Sequence, residues 1–208
     1  MFPAPLLRLL AAAALMLVVG AAVAGPRPKL VIEQTTAAVL AGIKERRDEF
    51  NANDAALQEF IRSTLGEVLD QNYSARMVLG LHGRRASDAE VDAFAQALAD
   101  NLLHRYGRAL LEIDPDKTRV RVTGEQPLRD GQIVRVNTEV LRASGAPVPV
   151  QYLFRKRGDD WKVFDVIVEG ISYVQTYRTQ FDEPLRQRGI AQVTEDLRAG
   201  RIQIRDAQ

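Results

Sequence analysis

Asp165 is the residue whose surroundings most nearly suggest catalysis. It lies inside the apolar run Trp161-Lys162-Val163-Phe164-Asp165-Val166-Ile167-Val168. Strand alternation would aim it inward with Val163 and Ile167, and a buried carboxylate needs a partner or a raised pKa. At the wall of a pocket, such a group is a general acid or base, and the chain would be a small enzyme. The plainer reading is a tether, to an arginine or to the turn before the C-terminal tail. It is preferred because structural pairs perturb carboxylates as readily as active sites do. Glu169 admits the same two readings, with exposure in a loop. Of the two histidines, His82 sits among Gly80, Gly83, Arg84 and Arg85, and His104 stands beside Arg105 on an expected helix. A zinc site would need both plus carboxylates, so no metal site and no cofactor is expected. G-x-S-x-G, H-E-x-x-H, S-x-x-K, P-loop and G-x-G-x-x-G patterns are all missing from the sequence. The expectation is that the protein is not an enzyme.

Composition narrows the choice further. The 208 residues include no cysteine, which removes disulfides, thiolate metal sites and cysteine nucleophiles. Lys and Arg number 28 against 27 Asp and Glu, with no basic run, so the electrostatic footprint of nucleic-acid binding is missing. At this length one domain with a substantial core is expected.

The first 24 residues read as a cleaved signal peptide. Arg8 precedes an apolar stretch from Leu9 to Val23, and Ala22-Val23-Ala24 before Gly25 has the A-x-A form of a cleavage site. The stretch is shorter than the roughly 20 residues of a spanning helix. Cleavage would remove only Arg8 from the charge count and leave a formally neutral domain, 25–208, exported to the bacterial periplasm.

The elements that must position these residues come in a segregated order. Leu30 to Tyr106 reads as helices, Thr118 to Val168 as strands, and the tail as helix again, which points to an α+β fold. Leu57, Phe60, Ile61, Leu65, Val68 and Leu69 share one helical face after Asp54, a plausible N-cap. Tyr73 to Gly80 reads as a short helix stopped by Gly80 and Gly83. Ser87-Asp88-Ala89-Glu90 matches a capping box opening the next helix, whose face is Val91, Phe94, Ala95, Leu98, Leu102 and Tyr106. Asp114-Pro115-Asp116 ends the helical part. About four strands in an antiparallel meander follow, with a turn at Arg129-Asp130-Gly131 and another at Gly158-Asp159-Asp160. The tail resumes helical spacing through Ile171, Val174, Tyr177, Phe181 and Leu185, and Gly189 separates a last short helix.

The segment from Trp161 through Val166-Ile167-Val168-Glu169-Gly170-Ile171-Ser172-Tyr173-Val174 to Phe181 resembles the signature of the MlaC/toluene-tolerance family of periplasmic phospholipid-binding proteins. Tyr73-Ser74-Ala75-Arg76-Met77-Val78-Leu79-Gly80 is similar to that family's short helix, and Ser87 to Tyr106 to its next helix. The resemblance spans essentially the whole chain after the signal. His82 is a departure, standing where the family often carries tryptophan.

The resemblance implies a carrier that moves phospholipid between an outer-membrane lipoprotein–porin complex and an inner-membrane ABC transporter with an MCE-type subunit, so maintaining outer-membrane asymmetry. The physics of the task is demanding. Two sixteen-carbon chains, about 30 methylenes at ~0.8 kcal/mol each, would cost on the order of 24 kcal/mol to hold in water. A carrier must therefore cover them in a deep apolar cavity of roughly 900 Å³. That cavity is placed between the sheet and the helices, lined by Leu69, Leu79, Phe94, Leu98, Leu102, Val136, Val140, Tyr152, Phe154, Val166, Ile171, Val174 and Tyr177. Arg76 and Arg85 would meet a phosphate at its mouth. Ordinary core has the same periodicity as a pocket wall, so a protein of the envelope whose cavity is filled by side chains fits the same pattern.

Overall fold

Proline at the first helical position, where its missing N–H costs nothing, opens helix α1 (Pro28–Ala52). The computed structural model describes residues 27–204. The expected signal peptide and cleavage site, 1–24, lie outside the described residues. Helix α1 is interrupted at Arg46, where φ is −118°; the Arg46 guanidinium pairs with Glu49 and stands 4.7 Å from the centre of the Phe50 ring. Helix α2 (Asp54–Gly66) folds back on α1. The two come close because Gly42 has no side chain: a Cβ there would lie 2.2 Å from Phe60 Cζ. Phe60 instead stacks on Phe50 with ring centres 5.1 Å apart.

The cap of α2 corrects the expectation. Asn53, not Asp54, holds the N-cap position and accepts from the Ala56 amide; Asp54 is one residue further in, free to pair with Arg108. Helix α3 (Gln71–Leu79) is capped by Asp70 and ends at Gly80, whose φ of +56° suits glycine. A short 3₁₀ turn, His82–Arg84, leads to α4 (Asp88–Tyr106), which opens with the expected reciprocal Ser87–Glu90 capping box. A second 3₁₀ turn, Gly107–Glu112, winds α4 down before the Asp114-Pro115 break. Its end is held by Arg47 of α1, whose guanidinium donates to the Leu111 and Ile113 carbonyls.

The sheet is β1 (Arg119–Leu128), β2 (Ile133–Leu141), β3 (Val148–Arg157), β4 (Asp160–Val168) and β5 (Ile171–Ser172), all antiparallel and paired in sequence order. Arg129 and Asp130, both with positive φ, make the tight β1–β2 turn. The fifth strand was not expected, because Ile171 fits the helical spacing of the tail. Glu169 (φ 50°) and Gly170 (φ 87°) form a two-residue turn that brings Ile171 back against Val168 instead. Helix α5 (Tyr173–Arg198) then starts at Ser172, which accepts from the Gln175 amide, and is divided at Gly189 as expected.

Two layers result. The N-terminal turns of α1 cover one sheet face, with Val31 and Ile32 buried against Val136, Phe154 and Val163. Helices α3, α4 and α5 form a bundle beside β4. No helix among the described residues is long and apolar enough to cross a membrane.

Candidate functional site

The register of β4 decides what Asp165 does. A bulge shifts the pairing so that Phe154 opposes Val163 while Leu153 opposes Asp165, leaving Phe164 as the extra residue. Val163 and Asp165 therefore do not share a face, contrary to the simple alternation. Val163 stays with the sheet core, Phe164 meets the Tyr73 ring edge-on at 5.1 Å, and Asp165 turns to the start of α5. Its Oδ2 accepts from the Ser172 hydroxyl at 2.7 Å and its Oδ1 from the Val174 amide at 3.1 Å. This is the hydrogen-bonded tether to the turn before the tail. Burial pushes the carboxyl above its ordinary value of 3.8, and the bonds from Ser172, Val174 and the Val166 backbone oppose that shift.

The sign of the pH effect follows. A carboxyl with a raised folded pKa contributes stability that is present below the ordinary value and lost as pH rises through the folded one. Asp165→Asn, which keeps an oxygen for the Val174 amide, is expected to gain on the wild type in urea denaturation as pH rises from about 3 to about 7. Asp165→Ala, which strands the amide, is expected to cost about 2 kcal/mol at neutral pH. A parallel pH dependence in wild type and Asp165→Asn would refute the assignment.

The two histidines are apart. His82 Nε2 lies 3.1 Å from Asp182 of α5, and His104 is exposed on α4. Arg76 is engaged, donating to Asp88 at 2.5 Å and to the Gly83 carbonyl. Arg85 is exposed and makes no hydrogen bond or ion pair among the described residues. Glu169 is an exposed turn residue, as its loop reading required.

The apolar residues fall into three separate clusters, where a domain of this size commonly has one. The bundle core holds Ala75, Val78, Leu79, Phe94, Leu98, Tyr177 and Phe181, with Leu102, Tyr173 and Val174 half-buried at its fringe. The sheet core holds Val31, Ile32, Val136, Phe154 and Val163, with Leu69, Val122, Tyr152 and Val166 at its fringe. A third core joins α1 to α2 through Phe50, Leu57 and Ile61, with Leu65 and Leu103 at its fringe.

Chain connections link the fringes: the Leu69 amide donates to the Leu65 carbonyl, Leu102 and Leu103 are consecutive, and the Val174 amide donates to Asp165, next to Val166. The boundary between the three clusters, lined by these half-buried residues, is a seam.

The predicted lining divides across this seam. Leu79, Phe94, Leu98, Val136, Phe154 and Tyr177 are buried in core. They pack as core does: the Phe94 ring meets Phe181 edge-on at 5.5 Å. Leu69, Leu102, Val140, Tyr152, Val166, Ile171 and Val174 remain half-buried. Tyr152 lies between Val136 and Val166 across the strands, and burial pushes its hydroxyl pKa up. That hydroxyl makes no hydrogen bond among the described residues. Two recesses lie elsewhere: about 300 Å³ between Val31, Gln34, Thr35, Val68 and Trp161, and about 450 Å³ beside Arg47 and Asp114. Neither is the expected 900 Å³ lumen, and neither includes a predicted lining residue. Periodicity identified the apolar faces but not where they close on one another.

Sequence reasoning missed Asp70 and Arg155. Asp70 is 2% exposed, caps α3 at the Tyr73 amide, and accepts from Arg155 Nε of β3 at 2.6 Å. The Arg155 guanidinium also lies 4.0 Å from the centre of the Tyr73 ring. This clamp fixes the helical bundle to the sheet on one side of the seam. The only local signal was the helix start after Asp70; a partner 85 residues away leaves no pattern in the sequence.

A bundle beside a meander sheet defines an α+β protein with the fold of a known phospholipid-binding protein. That protein, from Ralstonia solanacearum and solved in complex with a phospholipid, superposes with a TM-score of 0.72 at 21% identity, covering 82% of this chain and 96% of the other. The chain belongs to the MlaC family, whose model, described as MlaC protein, matches residues 33–199. The toluene tolerance protein ttg2D of Pseudomonas putida is 30% identical over 175 residues, 80% of this chain and 77% of the relative. The intermembrane phospholipid transport system binding protein MlaC of Haemophilus influenzae is 22% identical over 177 residues, 84% of this chain and 82% of the relative.

Proposed function

We propose that this protein is a periplasmic phospholipid carrier, exported by its N-terminal signal, and that residues 25–208 form a single lipid-binding domain. In this reading the acyl chains enter the seam between the bundle and the sheet, against Leu69, Leu102, Tyr152, Val166 and Val174. The seam opens as lipid enters, so the buried Leu79, Phe94, Leu98, Val136, Phe154 and Tyr177 become its floor, with Val140 and Ile171 towards one end. The observation that carries the reading is three apolar cores with half-buried fringes in a member of a family whose relatives include a phospholipid transport protein.

The Tyr152 hydroxyl supplies a polar group for an ester or a bound water within the seam. Arg85, unpaired at the surface, is the better candidate for the head-group phosphate; Arg76 would first have to leave Asp88. The carrier would exchange lipid with an outer-membrane lipoprotein–porin complex and an inner-membrane ABC transporter, and would perform no reaction itself.

Native mass spectrometry of the protein purified without detergent, followed by organic extraction, tests this. Adducts of phospholipid mass that disappear on extraction are expected. A bare mass that persists after incubation with phospholipid vesicles would end the carrier reading.

A further inference from the structure

Leu81 is the most exposed large apolar residue in the described chain, at 64%, and Met77, four residues earlier across the Gly80 cap, is 37% exposed. Every other Leu, Ile, Phe or Met near that end of α3 is wholly or partly covered. The surroundings of the pair are basic. Arg84 and Arg85 follow Leu81 directly, and Arg178 of α5 lies against Gly80, so that a Cβ there would be 2.8 Å from its Nε. All three arginines are exposed, and none makes an ion pair or side-chain hydrogen bond among the described residues.

The acids nearby are already engaged, Asp88 by Arg76 and Asp182 by both His82 and Arg186. The result is a protruding leucine and methionine within a rim of three uncompensated guanidinium groups. The patch also lies close to the seam, because Arg178 stands one helical turn beyond Val174 on α5.

We infer that this patch docks transiently on the anionic surface of a phospholipid bilayer, with Leu81 entering the head-group layer and Arg84, Arg85 and Arg178 meeting phosphates. The inference deepens the carrier reading and rests on it for its purpose, which is to bring the seam to the place where lipid is taken up or released. The chemistry favours a bilayer over a protein. A stable protein interface needs roughly 800 Å² per partner and is enriched in aromatic residues at its core. This patch has two aliphatic side chains at a helix end and no exposed aromatic. An apolar wedge in a ring of cations matches an interfacial membrane contact, in which the two parts reinforce each other. So small a wedge also keeps the attachment weak and reversible, as a carrier requires.

The test is flotation of the purified protein with vesicles of phosphatidylcholine alone or of equal parts phosphatidylcholine and phosphatidylglycerol. Flotation with the anionic vesicles, reduced at high salt and weak with phosphatidylcholine alone, is expected. Leu81→Asp should lower the bound fraction about tenfold, and Arg84→Glu with Arg178→Glu by at least as much, at about fivefold for each lost positive charge. Met77→Ser is a milder variant that touches no charge and should give a smaller loss in the same direction. The lipid carried by each variant, read by native mass spectrometry, should stay at the wild-type level, so loss of docking and loss of carriage are read separately.

Equal binding to both vesicle types, or variants that float like the wild type, would overturn the inference. So would a wild type that does not float while Leu81→Asp weakens capture by the outer- or inner-membrane complex, a result that assigns the patch to a protein partner.

Discussion

Replacing Arg155 with alanine is expected to destabilise the protein by about 3–5 kcal/mol, more than replacing Asp70, its partner, with asparagine. The asymmetry follows from where each charge would be left. Asp70 is 2% exposed, whereas the Arg155 side chain is 33% exposed and can recover water when its partner is gone. Removing Arg155 strands the buried member and also strips the cation from the face of Tyr73. Asp70→Asn keeps a good N-cap for the Tyr73 amide and should cost about 1–2 kcal/mol. Urea denaturation of the two variants measures the difference; equal losses would mean that the pair acts as a surface ion pair. The consequence reaches the seam, because this clamp to β3 acts together with the ties to β4, namely the Ser74 hydroxyl bond to the Phe164 carbonyl, the Asp70 amide bond to the Val163 carbonyl and the Asp165 tether.

Val166→Trp is expected to lower bound phospholipid at least tenfold without lowering the thermal midpoint. Val166 is a half-buried member of the sheet fringe, beside Tyr152 and next to the residue that binds Val174. If the seam is true open space, an indole fills it, and filling a cavity commonly adds about 0.5–2 kcal/mol to stability. If the seam is closed core, the same substitution overpacks it and costs about 1–3 kcal/mol. Extraction and quantification of lipid, together with calorimetry, therefore distinguish a lipid site from a tight interior. A lowered midpoint with unchanged lipid would place the acyl chains elsewhere.

The local chemistry of the fold was legible wherever a few neighbouring residues decide the outcome. Ser87 and Glu90 announced a capping box, Gly80 and Gly189 announced breaks, and Arg129-Asp130-Gly131 announced a turn; all act within a few residues of themselves. The α+β order followed from a change of period between Tyr106 and Thr118. What sequence could not supply was geometry set from a distance. One extra residue at Phe164 turns Asp165 away from Val163, and alternation, which assumes an unbroken pleat, has no means of registering it. Ile171 satisfies a helical pattern and a strand pairing equally, and the Glu169-Gly170 turn decides between them. The candidate site was legible as a set of apolar faces only. Which of those side chains close into core, as Phe94 and Phe154 do, and which stay half-buried, as Leu69 and Val166 do, depends on how the three clusters are arranged.

The strand order of the sheet is also its sequence order, and that bears on how the protein reaches its native state. Each strand finds its neighbour across a short connection, so little loop-closure entropy stands against pairing, and the sheet can grow one hairpin at a time. Helix α1 must wait for a partner far along the chain: the Lys29 amide bonds to Glu125, 96 residues later. Docking of α1 is then the long-range closure of the fold, and until it occurs the sheet face carrying Val136 and Phe154 stands uncovered. The interval before that closure is when a newly made chain is most exposed to aggregation through its apolar sheet face.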